Sequence, residues 1–389
     1  MGADRGPLAR LIAFYLPQFH PIPQNDEWWG PGFTEWTNVA KARPLFRGHV
    51  QPHIPADLGF YDLRLPETRA AQAELARRYG IEGFCYWHYW FAGQRLLERP
   101  FNEVLASREP DFPICLGWAN QTWTGVWHGA PNRVLIEQTY PGVTDYVNHF
   151  NELRPAFEDS RYIRVDGKPL FIVYCPWEMP DTWEFTDCWR SMAEKTGLGG
   201  MFFVGRAPED WIPVEHGFDG SFTWRSYIST ASAHPLAVML DKIRERIRGR
   251  VRRLINVRPT VVKYRNVVER AFVREPHRPD RFPVVVPNWD NTPRSGVRGL
   301  VFQGSTPELF GRYLSEAIHR VASNDEEHRI VFLRSWNEWA EGNYVEPDIE
   351  FGHRYLQAIS QALDSENQRQ QSLRGASKGF ALQHQTGYT

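Results

Sequence analysis

Eight short runs of β-branched and aromatic residues recur along the chain, at 11–16, 83–90, 113–118, 170–174, 201–205, 220–224, 283–288 and 330–336. Most are apolar throughout rather than alternating, the pattern of parallel strands covered on both faces. Apolar residues at helical spacing fill several of the intervals, at 66–79, 145–157, 183–196 and 307–322. Strands that alternate with helices in this way predict an α/β fold, a (β/α)8 TIM barrel with long βα-loop insertions, rather than an open sheet. Residues 1–363 are expected to form that barrel as one catalytic domain. The remainder, 364–389, is rich in Gln, Ser and Lys and is expected to be disordered.

Two insertions interrupt the pattern. Residues 17–66 are dense in Pro, Gly, Trp and His, and a loop of that length inside a compact domain usually serves function. The second insertion spans about 232–282. Between 236 and 282 it carries 14 Lys/Arg against 5 Asp/Glu, a balance of +9 in a chain whose total is -1. Leu240, Ile243, Ile247, Val251 and Leu254 recur every three or four positions, so 236–254 reads as a basic amphipathic helix outside the barrel core. Packing on the barrel is the favoured role. Peripheral contact with an anionic membrane or with polysaccharide-assembly proteins is the alternative.

Composition narrows the function classes. A net charge of -1 gives no footprint for nucleic acid. Sixteen Trp within 14% aromatic content is the unusual feature, and it suits either a large aromatic core or a site that stacks indoles on sugar rings. The 4 Cys form no CxxC pair, and the histidines form neither HxH nor HExxH, so neither a metal nor a cofactor is expected. The first ten residues lack an apolar leader, and no run of about 18 apolar residues spans a bilayer. A cytoplasmic protein is the expectation.

Barrel enzymes gather their chemistry at the C-terminal ends of the strands. Here those ends carry Tyr15, Gln18 and His20; Trp87, His88 and Tyr89; Asn120 and Trp123; and Trp289, Asp290 and Asn291. The last run ends in Trp336 and Asn337, and Trp36 stands in the first long loop. All are candidate substrate-binding residues, since amides and carboxylates bind hydroxyls and indoles stack on rings. Glu338 and Glu341 are the candidate catalytic pair. Three residues apart, they share a face if the chain turns helically, and two neighbouring carboxylates split their pKa values as glycoside chemistry needs. A helix cap and a solvated carboxylate would explain the same spacing.

Six motifs in order carry a resemblance: FYLPQFH at 14–20, GFTEWTNV at 32–39, GHVQP at 48–52, FCYWHYW at 84–90, NWDNTPR at 288–294 and NEWAEGN at 337–343. Over about 11–363 the chain resembles the WbsX-like glycosyltransferases of O-antigen and other surface-polysaccharide gene clusters. That family is related to glycoside hydrolase family 99, the endo-α-mannosidases. The resemblance implies a (β/α)8 barrel acting on an oligosaccharide or polysaccharide of lipopolysaccharide type. It implies that Glu338, ionised, removes the proton of the sugar 2-hydroxyl. That oxygen then attacks the anomeric carbon to give a 1,2-anhydro sugar, with net retention. Glu341, its pKa raised, would be the acid on the leaving oxygen. The hydrolases usually carry His where this chain has Ala340, a departure that bears on the neighbouring subsite.

Three activities follow as expectations. The first is a retaining hydrolase or transglycosylase. The second is a nucleotide-sugar-dependent glycosyltransferase, for which Glu338 and Glu346 have E-x7-E spacing but no DxD accompanies it. The third is a non-catalytic glycan-binding barrel.

Overall fold

The computed structural model describes residues 9–125, 130–208, 210–223, 258–272 and 277–385, with the backbone alone for 130–132 and 370–385. The basic helix expected at 236–254 lies outside the described residues, as does Trp224.

Eight parallel strands form the central sheet: β1 (Arg10–Tyr15), β2 (Gly83–Phe91), β3 (Ile114–Trp118), β4 (Lys168–Val173), β5 (Phe202–Arg206), β6 (Gly220–Phe222), β7 (Val284–Val285) and β8 (Ile330–Leu333). Except between β6 and β7, each pairs with its sequence neighbours, and β8 returns to β1 with Arg10 opposite Ile330. The ring closes between β6 and the approach to β7. Ser221 N–H donates to Asp280 O and Phe282 N–H to Ser221 O, each at 2.8 Å. A barrel with both faces covered explains why the strands read as unbroken apolar runs. Strands β6 and β7 are shorter than their runs. Beyond Val285 the Val286 carbonyl accepts from the Tyr264 hydroxyl, at 2.6 Å, rather than from a neighbouring strand.

Strand alternation decides which side chains enter the barrel. Phe14, Trp87, Phe222 and Phe332 fill it, with Phe14 stacked on Trp87 at 4.7 Å and on Phe332 at 5.4 Å. Gly117 leaves room for Trp87, because a Cβ there would sit 3.1 Å from its ring.

Seven helices matter to the argument: α1 (Glu35–Lys41), α2 (Pro66–Arg78), α3 (Arg99–Ser107), α4 (Val143–Phe157), α5 (Thr182–Lys195), α6 (Pro307–Val321) and α7 (Arg354–Gln385). The four helical patterns of the sequence correspond to α2, α4, α5 and α6. Asp181 caps α5 by accepting from Glu184 N, and Thr306 caps α6 by accepting from Leu309 N. Between β5 and β6 a 3-10 turn, Pro213–His216, stands in place of a helix. The tail expected to be disordered is helical to Gln385 as the continuation of α7. That stretch contains no Pro, and 12 of its 22 residues at 364–385 are Gln, Ala, Leu, Arg or Lys, which propagate a helix once its first turns are fixed. Leu356, Ile359 and Ala362 of those turns are buried in the core.

The barrel mouth is walled by the first insertion, which carries a short helix, Pro23–Trp29, and then α1. A ribbon pairing Trp123–Gly125 with Ala130–Ile136 walls the side above β3. Among the described residues no helix is long and apolar enough to cross a membrane.

Candidate active site

The chain leaving β8 forms a tight ribbon. Asn337–Glu338 pairs antiparallel with Asn343–Tyr344, and the 3-10 turn Trp339–Glu341 joins them. Glycine is required at 342, where φ is 63° and a Cβ would lie 2.7 Å from the Asp290 nitrogen. That close approach lets Asp290 N–H donate to the Glu341 carbonyl at 2.7 Å, tying the loop after β7 to the loop after β8. Asn337 ties the same ribbon to β1, accepting from Leu16 N at 2.7 Å and donating to Leu16 O at 3.1 Å.

Both glutamates line a cleft of about 290 Å³ at the mouth. Glu338 is 6% exposed and accepts from the Trp87 indole N–H at 3.1 Å. Burial, and after it the neighbouring Glu341 carboxylate, push its pKa up to about 8. Glu341 meets a different field. Arg294 donates to its Oε1 at 2.6 Å, and Arg334 and Asn343 donate to its Oε2 at 3.2 and 3.3 Å. Burial alone would raise Glu341, but Arg294 and Arg334 outweigh it and hold the group below its ordinary value. The two carboxyl groups are close enough to couple, and the balance of these fields favours a proton on Glu338 over one on Glu341. These directions run opposite to the expectation that Glu341 is the protonated member. The reason is two guanidinium groups on Glu341 against one neutral indole on Glu338.

The cations are themselves held. Arg294 forks onto buried Glu35 through Nε and Nη2, at 3.0 and 2.9 Å. Burial pushes Glu35 up, and Arg294 opposes that shift. Arg334 lies 4.3 Å over the Trp289 ring.

Of the residues expected to bind substrate, Gln18, Trp87, Tyr89 and Trp123 line the cleft with the two glutamates. The others are spent on the protein itself. Strand parity turns Tyr15 outward, where its hydroxyl donates to Gln72 of α2 at 2.7 Å. The same parity turns His88 outward onto α4, where its Nε2 lies 2.8 Å from that of His149. His20 is buried against the Pro17 carbonyl, and the Trp36 indole donates to Tyr61 O. Asn120 clamps the Cys175 backbone through both of its amide atoms. Trp289 backs Arg334, and the Asn291 carboxamide accepts from Leu300 N. Asp290 accepts from His49 and Gln51, each at 2.7 Å, and from Thr292, so it anchors the first insertion. Trp336 is fully buried beside Phe84.

Sequence reasoning did not single out Arg294, Arg334, Glu35, Tyr174 or Asn25. Glu35 and Arg294 lie inside the quoted motifs, and Arg334 directly follows β8, so the signal was present. Asn25 lines the cleft wall fully buried, with neither carboxamide heteroatom hydrogen-bonded among the described residues. No group of three or more His, Cys, Asp or Glu among the described residues is arranged to hold a metal ion.

The sequence profile of the glycosyltransferase WbsX family matches residues 11–359. The chain belongs to that family. WxcX of Xanthomonas campestris pv. campestris is 38% identical to this WbsX-family chain over 363 residues, in each of two strains. The match covers 91% of this chain and 50% of the relative, so the chain spans about half the length of the curated relatives it matches. Among solved structures, the family 99 endo-α-mannosidase from Bacteroides thetaiotaomicron aligns at 14% identity with a TM-score of 0.53. That alignment covers 93% of this chain and 98% of the mannosidase. A glycoside hydrolase-like protein aligns at 15% identity with a TM-score of 0.55, over 93% and 97%. At such identities the likeness is one of fold, and the WbsX-family barrel shares that fold with glycoside hydrolases.

Proposed function

We propose that this protein is a carbohydrate-active enzyme of surface-polysaccharide metabolism that cleaves or transfers a glycosidic bond with retention. The observation that carries the reading is the carboxyl pair in a concave cleft, Glu338 pushed up to about 8 by burial and Glu341 held below its ordinary value by Arg294 and Arg334. Membership of a glycosyltransferase family and a barrel of glycoside hydrolase type support it. The two carboxyl groups lie within hydrogen-bonding reach of each other. An inverting pair stands about 6.5–9.5 Å apart to admit a water, so the contact favours retention.

The protonation pattern supports duties exchanged from those the resemblance implies. Glu338 gives its proton to the leaving oxygen. Glu341, anionic, takes the proton of the sugar 2-hydroxyl as positive charge develops at the anomeric carbon and makes that hydroxyl more acidic. The hydroxyl oxygen closes on the anomeric carbon and the aglycone leaves. Water or an acceptor hydroxyl then opens the 1,2-anhydro ring, giving its proton to Glu338 while Glu341 returns the other to O2. Trp87 fixes the donor, and Arg294 and Arg334 keep the acceptor ionised.

The E-x7-E spacing draws no support as a transferase signature. Glu346 is buried under the core, accepting from Tyr61, Gln72 and Trp339, and does not line the cleft. The test is kinetic, on glycosides with good and poor leaving groups. Glu338→Gln is expected to spare good leaving groups and fail with poor ones, while Glu341→Gln fails with both. A 2-deoxy or 2-fluoro substrate is expected to be inert. Loss of either group costs about 10²–10⁴-fold. Normal rates in both variants on an established substrate would leave a non-catalytic glycan-binding barrel.

A further inference from the structure

Trp177 follows β4 in the 3-10 turn Pro176–Glu178, at the same mouth as the cleft, and is 51% exposed. Scattered exposed aromatics are ordinary on protein surfaces. This one is held. The Arg206 guanidinium lies 4.6 Å from the Trp177 ring and 3.8 Å from the ring of Tyr174, a residue that lines the cleft. Arg206 is 9% exposed and donates to the Tyr174 carbonyl at 2.9 Å and to the Cys175 sulfur at 3.0 Å. Asn120 in turn grips Cys175 N and O at 2.7 and 2.9 Å. Tyr174 stands edge-on to Trp87 at 5.4 Å, and Trp87 contacts Glu338. A line of fixed side chains, Trp87, Tyr174, the Arg206 guanidinium and Trp177, thus runs from the carboxyl pair out to a half-exposed indole.

The cleft, at about 290 Å³, is at the lower end of ligand-pocket volumes. A polymeric glycan reaching Glu338 must therefore continue across the surface of the mouth. A rigid aromatic face gives contact area there at little cost in side-chain ordering.

We propose that Trp177 is a distal sugar subsite, stacking on a pyranose ring of the same glycan whose scissile linkage lies at Glu338 and Glu341. The proposal rests on the enzymatic reading above and makes the protein a reader of oligosaccharide length. An open indole takes any pyranose with an apolar C–H face, so the subsite confers length preference rather than sugar identity.

The test uses the full chain in the Glu338→Gln background, in which turnover of a polysaccharide, whose leaving groups are poor, is expected to be slowed about 10²–10⁴-fold. Affinity electrophoresis is run through gels containing α-mannan, dextran or a bacterial O-polysaccharide. Whichever polymer retards Glu338→Gln is expected to bind about 10-fold more weakly when Trp177→Ala is added, with partial recovery for Trp177→Phe. Binding of the methyl glycoside of the same sugar, followed by tryptophan fluorescence, is expected to be unchanged, as is the melting temperature. Equal retardation with and without Trp177→Ala overturns the subsite and leaves the enzymatic reading standing. If none of the polymers retards Glu338→Gln, and the wild type turns none of them over, the enzymatic reading falls and the subsite with it.

Discussion

Replacing Glu338 by Gln removes a titrating group and keeps its shape. The Gln Oε1 still accepts from Trp87, and its NH₂ donates to the Glu341 carboxylate, so the hydrogen bonds of the protonated acid survive. What disappears is a proton equilibrium. In the fold Glu338 titrates at about 8, against an ordinary value of 4.5. Below pH 4.5 the group is protonated in both folded and unfolded chains and costs nothing. As pH rises from there, the unfolded chain releases the proton while the folded chain keeps it, so stability falls until the folded group also ionises near pH 8. One pKa unit is about 1.4 kcal/mol, so the penalty at pH 7 is roughly 3 kcal/mol. For a chain of this size that corresponds to about 3–4 °C in Tm.

Glu338→Gln is therefore expected to be more stable than wild type at neutral pH while losing activity toward poor leaving groups. The signature is the pH dependence rather than the single value. Denaturant midpoints of the two proteins should coincide near pH 4, separate steadily to pH 8 and run parallel above it. A gap independent of pH, or a variant less stable than wild type at pH 8, would refute the assignment of the shared proton to Glu338. The proton would then belong to Glu341, and the duties implied by the family resemblance would be restored.

Activity is expected to be bell-shaped in pH. The acid limb is set by Glu341, held below its ordinary value, and the alkaline limb falls near pH 8 as Glu338 ionises; a pH–rate profile without an alkaline limb would count against Glu338 as donor. Arg294→Gln strips one cation from Glu341 and leaves Glu35 buried without its partner; the acid limb should move to higher pH, with a stability loss of about 3–5 kcal/mol in denaturant melts. His88 and His149 are both held neutral by burial, with pKa values well below 6.5. Stability should fall as pH drops below 6.5, because only the unfolded chain takes up those protons, and His88→Phe with His149→Phe should flatten that slope by up to about 2.7 kcal/mol per pH unit.

The barrel was legible because most strands announced themselves as apolar runs, a consequence of filling both faces. The same property hid the site. In an alternating strand, polarity marks the inner face; in FCYWHYW at 84–90 every position is apolar or aromatic except His88, so parity has no marker. Trp87 and Tyr89 turn to the cleft, and His88, the residue that looks most chemical, turns to α4. The polarity of Asn120, Asp290 and Asn337 marks them as candidate substrate ligands. Polar side chains at strand ends also staple loops to the barrel, and each of these three has its hydrogen bonds inside the protein. The short β7 and the helical continuation of α7 were opaque for another reason. Both depend on what the chain packs against beyond the segment itself.

The carboxyl pair marks the limit most clearly. Its position could be read from NEWAEGN at 337–343, and so could the fact that two close carboxylates must share a proton. Which one keeps it could not be read from that motif. Arg294 is 47 residues from Glu341 in sequence, and Glu35, which orients Arg294, is 259 from Arg294. Arg334, seven residues before Glu341, reaches it because the chain folds back through the 3-10 turn Trp339–Glu341. On the proposed reading, the motif supplies the acid–base pair, while charges from two other loops and from Arg334 at the end of β8 set its direction. A homologue that keeps both glutamates but loses Arg294 or Arg334 would therefore be expected to move the proton toward Glu341 and exchange the two roles. Measuring which of Glu→Gln at the two positions is tolerated with good leaving groups, in wild type and in Arg294→Gln, tests this directly. Identical leaving-group patterns in the two backgrounds would mean that the arginines do not decide the roles.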